Sequence, residues 1–196
     1  YKSGAKAFRL ADIVNGLNLQ MFLYLFNVCA DGSNPYAGVP AGVLYMHAAR
    51  SVMTVETKRS AEKDIAGQED KAFGMNGIVI TNPDCDIPAA MEHDLAGKYI
   101  PVRLKKSGVG GSLASLEQLG LLQRKIEALV ADMGNALQNG QIGQHPVQAK
   151  DHDKTCEYCD FASVCAFKKS VTPRTYDDQT DSAVLAELEK EGENHA

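Results

Sequence analysis

The segment Gly77-Ile78-Val79-Ile80-Thr81, closed by Asn82-Pro83, decides how this chain is read. A short apolar run rich in β-branched residues and ended by a turn dipeptide predicts a buried strand. Downstream, Tyr99 to Leu104 alternates, with Ile100, Val102 and Leu104 on one face and Tyr99, Pro101 and Arg103 on the other. Pro101 has no N–H to donate, so this reads as an edge strand. A short helix is expected between them, within Asp84 to Gly97.

The clearest helix is Leu113 to Asn139, striped by Leu116, Leu119, Leu122, Ile126, Leu129, Val130, Met133 and Leu137. Ser115 and Gln118 have capping-box spacing at its start, and Gly140 supplies a stop. Upstream of the first strand, Leu17, Gln20, Met21, Tyr24, Leu25 and Val28 recur at the period of one helix face, and Asp31-Gly32 ends the pattern. Gly32 to Gly42 has turn composition, and Val43 to Ala48 reads as another strand. From Val55 to Lys71 charges dominate, which fits either a surface helix or a mobile loop. Gln141 to Lys154 reads as a polar connector. Strands alternating with helices predict an α/β or α+β unit, with a small mixed β-sheet flanked by helices.

Composition narrows the class. The 196 residues are 44% apolar, enough for one ordinary core and too many for a wholly disordered chain. The uncharged stretch Ile13 to Ala30 carries Asn15, Asn18, Gln20 and Asn27, whereas a membrane span needs ~20 mainly apolar residues. It reads as a buried helix. The net charge of -5 is concentrated in residues 176–196, where seven acids face Lys190 alone, so residues 1–175 are nearly neutral. Two parts are expected: a body over 1–175 and an acidic tail over 176–196, forming a solvated terminal helix or disorder. A nucleic-acid partner would have to use local basic groups, such as Arg103, Lys105 and Lys106, or Lys168 and Lys169.

Three of the five cysteines, Cys156, Cys159 and Cys165, spell C-x2-C-x5-C. That grouping suits thiolate ligands of one metal centre in a reducing, cytoplasmic compartment rather than a secreted disulfide scaffold. A fourth ligand would come from Cys29, Cys85, His152 or another chain, although Cys29 and Cys85 sit in apolar stretches that suit plain core packing.

Tyr1-Lys2-Ser3-Gly4, the pair Gln20 and Tyr24 in Q-x3-Y spacing, and the three cysteines followed by Phe167 together resemble RecB-type nucleases of the PD-(D/E)xK superfamily. Ala41-Gly42-Val43-Leu44-Tyr45 and Gly97-Lys98-Tyr99-Ile100-Pro101-Val102 are further similar to the nuclease end of AddB-type subunits of bacterial ATP-dependent helicase-nucleases. The resemblance implies a partial restriction-endonuclease-like core and a deoxyribonuclease of exonuclease type. Lys2 would be catalytic, with Gln20 and Tyr24 beside it. Cys156, Cys159 and Cys165 would be three of the four ligands of a 4Fe-4S cluster. It also implies Mg2+ in an intact parent, single-stranded DNA from unwound duplex ends as substrate, an AddA-like helicase-nuclease subunit as partner, and roles in DNA repair and recombination. No residue here signals an ATP site or a membrane partner. The family's metal-binding Asp would stand just before Tyr1, and its first cluster cysteine far upstream. The expectation is therefore a carboxy-terminal piece of a larger subunit, nearly inactive alone. The rival reading is a non-catalytic zinc or iron-sulfur module that binds DNA or docks a subunit.

Overall fold

The computed structural model describes residues 7–47, 73–143, 145–149, 156, 159–165 and 173–194. The polar segment Val55 to Lys71 lies outside them. By its internal contacts the chain divides into two compact units, one of residues 1–8 and 21–120, the other of residues 9–20 and 121–196.

In the first unit, β1 (Gly42–Tyr45) pairs antiparallel with β2 (Asn76–Thr81), register Gly42↔Val79. On its other side β2 pairs parallel with β5 (Leu113–Ser115), giving the order β1-β2-β5. Ile78, Val79 and Ile80 are all buried, as a central strand covered on both faces requires. Close strand approach constrains Gly77, at φ +148, where a Cβ would collide with the Val43 carbonyl. The expected strand at 77–81 is present, and the mixed sheet is small. Its β5 edge was not foreseen.

Between β2 and β5 the chain forms α3 (Ile87–Met91), then a hairpin of β3 (Val102–Lys105) and β4 (Gly108–Gly111). Asp86 caps α3 by accepting the Ala89 N–H at 3.1 Å, and Pro88 sits in its first turn, where no N–H is needed. Val79, Ile87, Leu95, Ile100 and Val102 form one apolar cluster. The edge strand expected from Tyr99 is shorter than its alternation suggested: residues 99–101 are bends, and the ladder starts at Val102.

The stretch Ile13 to Ala30 is not one buried helix. It contains the end of α1 (Leu10–Val14), a non-helical break with Asn18 at φ 57, and α2 (Gln20–Ala30). Nor is the α2 face the expected one. Phe22 is fully buried, its ring 6.2 Å from Phe8 and 5.9 Å from Phe26, while Met21, Tyr24 and Val28 are exposed. A helix apolar nearly all round has no unique stripe for periodicity to find, and the aromatic rings take the core side because they bury more area.

The long helix α4 (Leu116–Gln138) carries the capping box at its start: Gln118 N–H donates to Ser115 Oγ at 3.1 Å, and Ser115 N–H to Gln118 Oε1 at 2.8 Å. It stops at Gly140, φ +67, where Gly140 N–H reaches the Leu137 carbonyl and Gln141 N–H the Ala136 carbonyl. This is the left-handed C-cap that glycine adopts without strain. The stripe is buried only in its first half. Leu119, Leu122 and Ile126 are in the core, whereas Val130, Met133 and Leu137 are exposed.

In the second unit, Val147–Ala149 forms β6 inside the expected connector, and it pairs parallel with β7 (Arg174–Tyr176). A single helical turn, α5 (Ala162–Cys165), follows the paired cysteines. The acidic tail is helical, as α6 (Asp181–Asn194), but packed rather than wholly solvated: Val184, Leu185 and Leu188 are buried. It contacts α1, and against α4 it sets Gly192 beside Leu121 and Glu191 Oε2 3.0 Å from Lys125 Nζ. Glu187, Glu189, Glu191 and Glu193 do not prevent this because they occupy the exposed positions of the helix.

Candidate functional site

Of the residues singled out by sequence, Lys2 with its neighbours Tyr1, Ser3 and Gly4 lies outside the described residues, as do His152, Phe167, Lys168 and Lys169. Gln20 opens α2 and Tyr24 stands one turn further on, both exposed. Tyr24 is 57% accessible, so its side chain is not part of the core. Cys156 and Cys159 are joined by a turn in which Cys159 N–H donates to the Cys156 carbonyl at 3.3 Å. Cys165 closes α5, its N–H bonded to the Phe161 carbonyl at 2.9 Å. Cys156 and Cys165 are half-buried and Cys159 exposed.

Three thiols of this spacing suit an iron-sulfur or zinc centre chemically. Among the described residues, however, no three His, Cys, Asp or Glu side chains converge as a metal-holding group. Cys85 is exposed rather than core, because it sits in the turn bridging Asn82 to Cys85, and Cys29 is half-buried. Arg103, Lys105 and Lys106 lie exposed on β3 and its turn.

Two buried carboxylates were missed from sequence. Asp12, 4% exposed, accepts from Arg9 Nη2 and Asn18 Nδ2, both at 3.1 Å, and from the Tyr176 hydroxyl at 2.6 Å. Burial, and next the hydrogen bond to Asp12, hold the Tyr176 phenol well above its usual 10.0. Glu92, 8% exposed, accepts the backbone N–H groups of Lys98 at 2.9 Å and of Tyr99 and Ile100 at 3.1 Å. Burial opposes its charge, yet these backbone donors together outweigh it and hold the carboxyl below the usual 4.5. The Arg9-x2-Asp12 spacing was the one available signal for the first hub. For the second, none short of the fold existed.

Small mixed sheets flanked by helices are consistent with part of a PD-(D/E)XK fold. Residues 1–166 match the PD-(D/E)XK nuclease superfamily, and the chain belongs to that family. It is 31% identical over 204 residues to the B subunit of the ATP-dependent helicase/deoxyribonuclease of Bacillus cereus, covering 97% of this chain. Identity is again 31%, over 207 residues and 100% of this chain, to the same-named protein of Oceanobacillus iheyensis. The counterpart from Bacillus anthracis is 31% identical over 204 residues. In each case the chain spans 17% of the relative's own length.

Proposed function

We propose that this chain is the nuclease region of an AddB-type subunit, hydrolysing single-stranded DNA with Mg2+ beside an AddA-like partner in the cytoplasm, during resection of broken duplex ends. The observation that carries the reading is the match of residues 1–166 to the nuclease family, with similarity along nearly the whole chain to helicase/deoxyribonuclease B subunits. The exposure of Gln20 and Tyr24 supports it, since a residue meant for substrate must leave the core. Among the described residues no helix is long and apolar enough to cross a membrane.

Mg2+ chemistry neutralises charge that develops on a cleaved phosphodiester. The acids that would hold the ion are expected ahead of Lys2. Lys2 would stabilise negative charge at the phosphate, and Gln20 and Tyr24 would orient the strand by an amide hydrogen bond and by stacking. Cys156, Cys159 and Cys165 would be three ligands of a 4Fe-4S cluster that fastens a distant segment to this region, without entering hydrolysis.

The test is Mg2+-dependent release of nucleotides from single-stranded DNA by a protein carrying this region together with those acids. Activity abolished in Lys2→Ala, with the fold intact by circular dichroism, is expected. The 196 residues alone are expected to be nearly inactive, and robust digestion by them would overturn the proposed division of the site. Unchanged thermal stability and DNA binding after Cys156→Ala in the cluster-loaded protein would count against the clamp.

A further inference from the structure

The β3–β4 hairpin is unusual in its charge and in its lack of bulk. From Leu95 to Leu116 the chain has four cations, Lys98, Arg103, Lys105 and Lys106, and no acid. Of the nearest upstream carboxylates, Glu92 is turned inward and accepts three backbone N–H groups, and Asp94 is exposed with its Oδ1 3.0 Å from His93 Nδ1.

Strand alternation places Arg103 and Lys105 on one face of β3 and Val102 and Leu104 on the other. Val102 is fully buried, so the face bearing the two cations is turned outward. Opposite them on β4 stand Gly110 and Gly108, by the register Arg103↔Gly110 and Lys105↔Gly108. That face therefore carries positive charge and almost no side-chain relief. Lys105 extends across Gly110, where a Cβ would lie 3.4 Å from its Cδ, and Arg103 rests on Gly97, where a Cβ would lie 3.1 Å from its own. Immediately upstream, the Tyr99 ring is 43% exposed with Lys98 Nζ 5.1 Å from its centroid, on a backbone that Glu92 fixes in place.

A flat basic ribbon next to an exposed aromatic ring suits a flexible polyanion that also has planar groups to stack. We infer that the outward face of the β3–β4 hairpin binds the sugar-phosphate backbone of single-stranded DNA, with Tyr99 as a stacking platform for a base. This rests on the nuclease reading and adds to it a binding surface distinct from Lys2, Gln20 and Tyr24.

The inference is tested by fluorescence anisotropy of the 196-residue chain with labelled oligo(dT), in EDTA, so that binding is read without hydrolysis. The combined variant Arg103→Gln, Lys105→Gln, Lys106→Gln is expected to weaken binding by about tenfold or more at 0.1 M salt, and to reduce the slope of log affinity against log salt by about 2. Arg124→Gln, which removes an exposed cation from α4, controls for net charge and is expected to bind as wild type. Should the triple variant misfold, protection of Lys105 and Lys106 from acetylation by bound oligo(dT) on the wild-type chain reads the same surface. Equal affinity of the triple variant and wild type, absence of that protection, or equally tight binding of a polyglutamate peptide would each overturn the inference. Loss of digestion in Lys2→Ala, in the protein that carries this region together with the Mg2+-holding acids, with oligo(dT) binding in EDTA retained, separates this surface from the hydrolytic reading.

Discussion

Asp12 and Glu92 are both buried carboxylates, and they are neutralised in opposite ways. Glu92 is wrapped by backbone N–H groups six to eight residues further along the chain. Asp12 gathers side chains instead, from Arg9 and Asn18 nearby and from Tyr176, 164 positions away. The first arrangement needs only a local loop to close. The second exists only once both ends of its unit are in place, and it therefore couples the early segment to the late one. Desolvating a carboxylate is costly in either case, so each must be satisfied in full or the fold avoids it.

Removing each acid is the strongest test of that contrast. Asp12→Ala strands the Tyr176 hydroxyl, the Asn18 amide and part of the Arg9 guanidinium together, and should lower stability by about 3 kcal/mol in urea unfolding. Glu92→Gln keeps the shape but sets an amide donor against backbone donors, with an expected loss of about 2 kcal/mol. If the order of the two reverses, the long-range hub is not the more demanding of the pair. Tyr176→Phe deletes only one arm of the Asp12 hub and should cost about 1.5 kcal/mol by the same measurement. Ser115→Ala, which breaks a cap belonging to neither hub, should cost about 1 kcal/mol and serves as the local baseline.

The pH dependence separates the hubs further. The Glu92 carboxyl is held below 4.5, so its contribution is fully present above that value and is lost as pH falls through the lower folded value. Glu92→Gln should flatten the acid limb of a stability profile. The Tyr176 phenol is held above 10.0, so its contribution is present below pH 10 and fades only as pH rises toward the higher folded value. Tyr176→Phe should lower the profile below pH 10 by a constant amount and change its shape in the alkaline limb alone.

The features that were legible in the sequence are the ones decided locally. Ser115 with Gln118 and the stop at Gly140 each depend on neighbours within a few residues, and the strand at Gly77 to Thr81 is marked by its own apolar run and the turn dipeptide that ends it; each is present. What was missed depends on partners far along the chain. Leu113 to Ala114 looked like the start of the helical stripe because both are apolar, but pairing with Val79 and Ile80 makes them strand. Val147 to Ala149 becomes strand only because Arg174 to Tyr176 lies beside it. Half of the α4 stripe, at Val130, Met133 and Leu137, stays exposed, since apolar period predicts a face but not what covers it. Of the candidate-site residues, Gln20 and Tyr24 are exposed on α2, and Lys2 lies outside the described residues. The two carboxylate hubs were illegible because an isolated Asp or Glu carries no mark of its future donors.

One contact sets an order in time. The first N–H of α1, at Leu10, has no cap of its own and is received by Asp181 Oδ1 at 2.9 Å, 171 positions later. A ribosome makes Leu10 before Asp181, so the opening turn of the second unit must wait, unsealed, until the segment carrying Asp181 has been made. Closure of that half accordingly follows the synthesis of Asp181, and a nascent chain stalled before it would offer the earlier apolar segment to chaperones.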